Sequence, residues 1–245
     1  MNRVTFTICC VLLLSSQAVG FAPIGPASSD LDQGQFATGA EYVKGDFKMF
    51  IENYTATFSG AGFDWTSYLP ADSEPEFRLD GFFGKVSYGL TDRWQVSAGL
   101  CQDMWGLGTK ITLKESKALD WGMAVWVDFL SCEDKLSDSD WEYLKGQVDL
   151  YTARIAIGPV YKIDGLRLYG GPFIFWADGD GDLKGKYVSG EIPFDVRGRC
   201  DVKREFELGG YIGMSIELLE KIDVQVEYQL ARDLSVFGAG LSFKF

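Results

Sequence analysis

The sequence predicts an all-β fold: an antiparallel up-and-down transmembrane β-barrel of ten strands, with twelve or eight as the alternative counts. Three observations predict it. Segments of about ten residues alternate apolar and polar side chains with period two. Their connections are by turns short and long. No stretch after the first 20 residues has the length and apolarity of a spanning helix, although the start of the chain marks it for export. A bilayer is crossed only by helices or by strands closed into a barrel, so an exported chain of this kind is either a barrel or a soluble secreted protein.

The elements can be justified in order. Arg3, an apolar run from Val4 to Leu14 and a small-residue site ending at Gly20 describe a secretory signal peptide over 1–20, leaving 21–245 as one barrel domain. Cys9 and Cys10 leave with it. The first strand candidates are Gln35–Val43 and Phe77–Leu90. Arg93–Cys101 sets Trp94, Val96, Ala98 and Leu100 against Arg93, Gln95, Ser97 and Gly99. Gly106–Leu113 follows. Leu119–Phe129 sets Trp121, Met123, Val125, Val127 and Phe129 against Asp120, Gly122, Ala124, Trp126 and Asp128. Gln147–Tyr161 and Leu166–Trp176 come next; Pro172 in the latter cannot donate to a ladder and predicts a bulge or loosened pairing. Glu205–Leu218 and Ile222–Leu230 place Ile222, Val224, Val226, Tyr228 and Leu230 opposite Asp223, Gln225, Glu227 and Gln229. A soluble core strand rarely carries so polar a face, whereas a strand between lipid and a wet lumen does. The chain closes on Leu234–Phe245. Lys48–Phe58 and Lys186–Val196 are the segments that would raise the count to twelve.

Thr91-Asp92, Glu115–Lys117, Lys162–Gly165 and Leu219–Lys221 are tight connections. Lys44–Glu76, Gln102–Trp105, Ser131–Lys145, Ala177–Val202 and Ala231–Asp233 fall on the other rim. Short periplasmic turns and longer outer loops are the expected arrangement for a bacterial barrel. Tyr88, Trp94, Tyr161, Phe243 and Phe245 are expected at the short-turn rim, and Trp105, Phe129 and Trp176 at the other, since amphipathic rings prefer the headgroup level. Composition agrees: 15% aromatic residues and 29 glycines with only middling hydropathy suit alternating faces. A net charge of −12 excludes nucleic acid as a partner.

Val86-Ser87-Tyr88-Gly89-Leu90-Thr91-Asp92-Arg93-Trp94, Leu168-Tyr169-Gly170-Gly171-Pro172-Phe173 and Val226-Glu227-Tyr228 through Phe245 resemble the small bacterial outer-membrane β-barrel proteins of OmpA-like or porin-like type. The resemblance implies a barrel in the bacterial outer membrane, with membrane lipid and the barrel assembly machinery as partners. It also implies that Phe237, Leu241, Phe243 and Phe245 form a C-terminal assembly signal. Enzymatic barrels of similar size rely on histidine as general base, and this chain has none, which argues against catalysis.

By parity, Lys85, Arg154, Arg167, Glu207, Glu217, Asp223 and Glu227 face the lumen, with Lys110, Lys244 and Glu205 beside them. They are either ion pairs plugging the interior or the charges that set the selectivity of a narrow pore. A barrel of ten strands lies near the size that side chains fill, which favours the plug. Asp178, Asp180 and Asp182 space carboxylates like the start of a calcium loop, but Leu183 and Ser189 stand where glycine and glutamate are required, so no metal and no cofactor is expected. Cys132 and Cys200 are candidates for an outer-loop disulfide, or for free thiols. The expected role is structural or surface-exposed, with at most narrow passage of small solutes. A conducting porin, an adhesin acting through its outer loops and a secreted lipocalin-like barrel are the rivals. No residue pattern specifies an oligomeric state.

Overall fold

A computed structural model describes residues 23–27, 30–60, 63–69, 76–101, 104–136, 141–188, 193–218 and 221–245. The predicted leader over 1–20 lies outside them. The described residues form twelve strands: β1 (Phe36–Lys48), β2 (Phe50–Gly60), β3 (Phe63–Leu69), β4 (Glu76–Thr91), β5 (Trp94–Cys101), β6 (Met104–Lys114), β7 (Leu119–Leu136), β8 (Trp141–Ile163), β9 (Leu166–Tyr187), β10 (Phe194–Leu218), β11 (Ile222–Ala231) and β12 (Leu234–Lys244). Ten of them close a ring in the order β12-β1-β4-β5-β6-β7-β8-β9-β10-β11, with β11 pairing back onto β12. Every pairing is antiparallel. The ten predicted segments are these ten ring strands.

Alternation places the apolar side chains outside. Leu100, Leu107, Val127, Ile155, Leu168 and Ile212 are all exposed, as are Phe237, Leu241, Phe243 and Phe245 on the closing strand. Soluble proteins seldom expose apolar patches beyond a few hundred Å², and a belt running right round a ring is the surface that a bilayer covers. Rings gather at its borders. Trp94, Tyr161, Phe243 and Phe245 are exposed at the short-turn rim, and the Phe36 ring lies tilted, 4.8 Å from that of Tyr88, there. At the other border Phe129 lies 5.7 Å from Trp105 and 4.8 Å from Tyr151.

The short turns follow from local chemistry. Asp164 and Gly165 both take positive φ (40° and 82°) between Ile163 and Leu166, the mirror-image two-residue turn whose twist matches a hairpin. On the seam between β8 and β9, pairing runs from Ile155↔Ile174 and Ala156↔Phe173 to Val160↔Tyr169 and is interrupted between them. Pro159 and Pro172 both sit in that interruption, so neither removes a ladder hydrogen bond there.

The long connections hold the main correction. Ser131–Lys145 and Ala177–Val202 were expected to be loops, but β7, β8, β9 and β10 run through much of them. Within Lys186–Val196 the described residues belong to the end of β9 and the start of β10, which pair through Phe194↔Tyr187 and Val196↔Gly185; 189–192 lie outside the described residues. Within Lys44–Glu76, β1 continues to Lys48, and β2 and β3 form a hairpin whose β2 pairs with the far half of β10, from Asp195↔Ser59 to Lys203↔Phe50. That hairpin stands above the two-residue β11–β12 turn. The far part of the molecule is therefore a six-stranded wall, β7-β8-β9-β10-β2-β3.

Its polarity is reversed. On β9, Leu168 and Ile174 face out below, and Asp180, Asp182 and Lys184 face out above, while Leu183 is buried inside. On β8, Ile155 and Ile157 face out below, with buried Leu144, Val148 and Leu150 inside above. A bulge in β10 between Arg204 and Glu207 adds one residue, so even positions (Val196, Cys200, Val202, Arg204) point inward before it and odd ones (Tyr211, Ser215) after it. Glu205, expected in the lumen, lies on the exposed side of this bulge.

Candidate functional site, the filled lumen

The inner wall of the ring is polar. Glu41, Ser87, Gln95, Ser97, Lys110, Asp223, Glu227 and Gln229 are all buried, although none belongs to a soluble-type core. What covers them is the segment before β1. Pro23, Ile24, Gly25, Pro26, Ala27 and Leu31 are buried, and the segment runs along the lumen to the short-turn rim. Glu227 grips it, accepting from the backbone N–H of Ile24 (2.8 Å) and of Gly25 (2.7 Å). Gln95 accepts from the Asp30 amide at 3.3 Å, and Asp92 from the Gln33 amide at 3.0 Å. At the rim Gly34 donates to the Gly89 carbonyl, and the Gly89 amide to Gln35. Gly25 has φ +70°, a backbone conformation that favours glycine, and a Cβ there would lie 2.8 Å from the flexible end of Lys110.

Six of the seven lumen charges read from the sequence separate into four groups. In the first, Lys85 pairs with Glu41 (3.2 Å), which also accepts from Gln225 at 2.7 Å; the ammonium lies 5.7 Å from the Trp126 ring centre. In the second, Glu227 holds the segment and accepts from Gln229 at 2.7 Å. The third is a relay toward the rim. Arg167 pairs with Asp223 (2.6 Å) and with Asp30 (3.8 Å), and Lys244 with Asp223 (2.8 Å) and with the more exposed Glu217 (3.5 Å). Burial alone would raise the Asp30 carboxyl, but Lys110, Arg167, Lys244 and Lys85 outweigh it and hold its pKa at about 2. In the fourth, Arg154 meets Asp128 at 2.9 Å with both side chains 1% exposed. Asp128 also accepts from Thr152 and from the Trp126 indole. Loss of one partner from such a pair leaves an uncompensated buried charge, which costs about 3–5 kcal/mol.

Glu207 joins none of these. It sits at the far end of the ring, where Arg204 bridges it (2.7 Å) to Asp233 of the β11–β12 turn (2.5 Å) beneath the Phe50 ring. The Arg204 hydrogen bond holds the Asp233 carboxyl below the usual range. Sequence reasoning missed Asp30, Glu41, Arg204 and Asp233. Glu41 alternates within a predicted strand and could have been found by parity. The segment that carries Asp30 has no periodicity to read.

Above the polar layer, the lumen is closed a second time. Phe83, Phe173 and Phe175 are each 1% exposed, and Met49, Leu130, Leu150, Val202 and Val236 are buried with them. Below, a cavity of about 560 Å³ opens at the short-turn rim, lined by Asp30, Asp32, Asp92, Asp120, Lys162 and Arg167 among others. Lys162 and Asp120 pair there at 2.6 Å.

The loop expected around Asp178 is corrected, and the alternatives left open for Cys132 and Cys200 are narrowed. Asp178, Asp180 and Asp182 lie along β9 within the wall and not in a loop, and no group of metal-ligating residues occurs among the described residues. Cys132 and Cys200 are strand residues joined by the row Cys132↔Val148↔Gly181↔Cys200. Three strand spacings, about 14 Å in the sheet, exceed the roughly 7 Å that a disulfide spans between Cα atoms.

No known family model matches the chain, and no curated protein is similar to it in sequence. Solved structures are similar in fold. The outer membrane protease OmpT from Escherichia coli is similar with a TM-score of 0.51 at 9% identity, over 92% of this chain and 99% of that one. The translocator domain of autotransporter NalP from Neisseria meningitidis gives 0.39 at 10% identity, over 89% and 90%. Ail, the attachment invasion locus protein of Yersinia pestis, gives 0.29 at 15%, over 87% and 99%. The first of these shows a shared fold, the transmembrane β-barrel of outer-membrane proteins.

Proposed function

We propose that this chain is an integral protein of the bacterial outer membrane, exported by the leader at 1–20, non-enzymatic and closed at rest. Its working part is the wall that it raises above the bilayer. The observation that carries this reading is the double closure of the lumen: residues 23–27 and 30–31 fill the polar lower part, and an apolar core fills the upper part. A diffusion pore needs a continuous wet path, and neither layer offers one. The outward apolar belt supports membrane insertion, and the fold shared with OmpT supports the outer membrane. A sequence without histidine supports the non-enzymatic reading.

The test has two stages. Fractionation with a heat-dependent gel shift should recover a compact, detergent-requiring species; recovery in the aqueous fraction without detergent would return the soluble barrel to favour. Purified protein in planar bilayers should then be silent. Stepwise conductance that changes when Arg154 or Glu227 is neutralised would instead establish a porin.

A second reading, ligand capture at the surface, is favoured by the six-stranded wall, whose outer face bears Lys145, Asp180, Lys184, Arg197 and Arg199. Removal of the β2–β3 hairpin should then abolish attachment to a partner while the gel shift persists.

A further inference from the structure

We propose that the lower lumen is a peptide-binding site, and that residues 23–34 are its exchangeable resident ligand, not a fixed plug. The site takes an extended peptide with a proline-x-glycine-proline core, here Pro23-Ile24-Gly25-Pro26, entering from the short-turn mouth. That this mouth faces the periplasm rests on the outer-membrane reading; the site itself does not.

The recognition chemistry is that of a receptor for backbone. The wall contributes side-chain acceptors to main-chain N–H groups: Glu227 to two successive amides, Gln95 to a third and Asp92 to a fourth. A carboxylate that takes two consecutive amide hydrogens reads an extended or turning main chain more than it reads side chains. Selectivity comes from shape. A Cβ at Gly238 would lie 2.4 Å from the Pro23 ring, so the wall leaves room there for proline, and the φ of +70° at position 25 favours glycine in the ligand.

Three features make the segment a ligand and not part of the frame. Its described residues contribute no strand, and the ring closes through β1–β12 and β1–β4 from Phe36 onward, so the Gly34–Gly89 bond at the rim is its one backbone tie to the sheet among the described residues. Most wall charges pair among themselves, through Glu41–Lys85, Arg167–Asp223 and Lys244–Asp223, while Glu227, which Gln229 also contacts, is the wall charge turned toward the segment. Its one ion pair with the wall among the described residues, Asp30 to Arg167, is long at 3.8 Å. Below it the 560 Å³ cavity already joins its root to solvent, and Asp32, Gln33 and Gly34 are exposed.

The test uses the full chain. A specific protease site is inserted between Gln33 and Gly34, and the folded barrel is cut in detergent micelles. The expected result is a barrel that keeps its heat-dependent gel shift, releases the cut segment on size separation, and then binds a fluorescein-labelled peptide of residues 23–34 by anisotropy. Unlabelled peptide should displace the label. A peptide carrying Gly25→Val, or a barrel carrying Glu227→Gln, should bind at least tenfold more weakly. A cut segment that leaves only when the barrel unfolds would show a fixed plug and overturn the proposal. Loss of the gel shift on cutting would do the same, by making the segment part of the frame. Release without rebinding of the labelled peptide would remove the binding site. Conductance is a separate readout: the apolar layer above should keep the emptied barrel silent, so current through it would count against the closed-barrel reading and not against peptide binding.

Discussion

The two halves of this barrel use the same strands with opposite polarity. Through the belt, β8 and β9 show Ile155, Ile157, Leu168 and Ile174 to the outside and Thr152, Arg154, Arg167 and Tyr169 to the inside. A few residues farther along, the outside carries Lys145, Gln147, Asp180, Asp182 and Lys184, and the inside Leu144, Val148, Leu150 and Leu183. Alternation sets only which residues share a face. The surrounding medium decides which face is apolar. Where the outer medium is acyl chains, polar groups retreat inward and must pair with one another. Where it is water, the apolar groups retreat and pack as in any soluble sheet. One strand can do both, provided that the exchange happens at the boundary of the bilayer.

This comparison can be broken at several positions. The largest effects should come from the interior of each half. Arg154→Ala strands Asp128 in the membrane half and should cost about 3–5 kcal/mol, whereas Phe175→Ala opens a cavity in the upper core and should cost a similar 3–5 kcal/mol for a different reason. Urea unfolding in micelles measures both. Replacing Arg154 and Asp128 together by apolar residues should recover most of the first loss and none of the second. If the pair of replacements is as damaging as Arg154→Ala alone, the ion-pair account of the lower lumen is wrong.

Outward positions should differ more sharply. Arginine at Ile155 meets lipid and should cost about 2–4 kcal/mol near the bilayer centre. Arginine at Gln147, on the same face of the same strand, should stay within about 0.5 kcal/mol. Equal costs would mean that the belt extends through the wall. At the short-turn rim, Gly165→Ala forces a Cβ onto a residue at φ +82° and should cost about 1 kcal/mol. The smallest effect is acidic release of the inner segment. The Asp30 carboxyl sits at about 2, below its ordinary value near 3.9. Its contribution is therefore complete above about pH 4 and is lost as pH falls toward 2. Exchange of the Ile24 and Gly25 amides should accelerate over that window beyond the intrinsic rate, and Asp30→Asn should remove the dependence.

The same contrast explains what was legible in the sequence. All ten ring strands could be read because a lipid-facing strand states its two faces plainly, as Ile222–Leu230 does. The wall could not be read by that rule. Asp178-Gly179-Asp180-Gly181-Asp182 looks like a flexible acidic loop until its glycines are seen to face a packed interior and its carboxylates solvent. The parity of the lower lumen was legible residue by residue, which is why Lys85, Arg154, Arg167 and Asp223 were placed inside. Their partition into separate pairs was not, because partners such as Glu41 and Lys85 or Arg167 and Asp223 meet only through the closed ring. The inner segment was silent for a related reason: its bonds to Glu227 span about 200 positions of chain and leave no local period.

The single extra residue in β10 has a consequence for how this chain can tolerate change. It works as a phase shifter between two stretches of one strand that answer to different solvents. An odd-length insertion or deletion elsewhere in β10 would turn a whole stretch inside out, presenting Val196 and Val202 to water or Leu208 and Ile212 to the lumen. At the kink itself, the same lesion has a slack residue to absorb it. Length variation in this strand should therefore collect at Glu205 and Phe206, and nowhere else along its 25 residues.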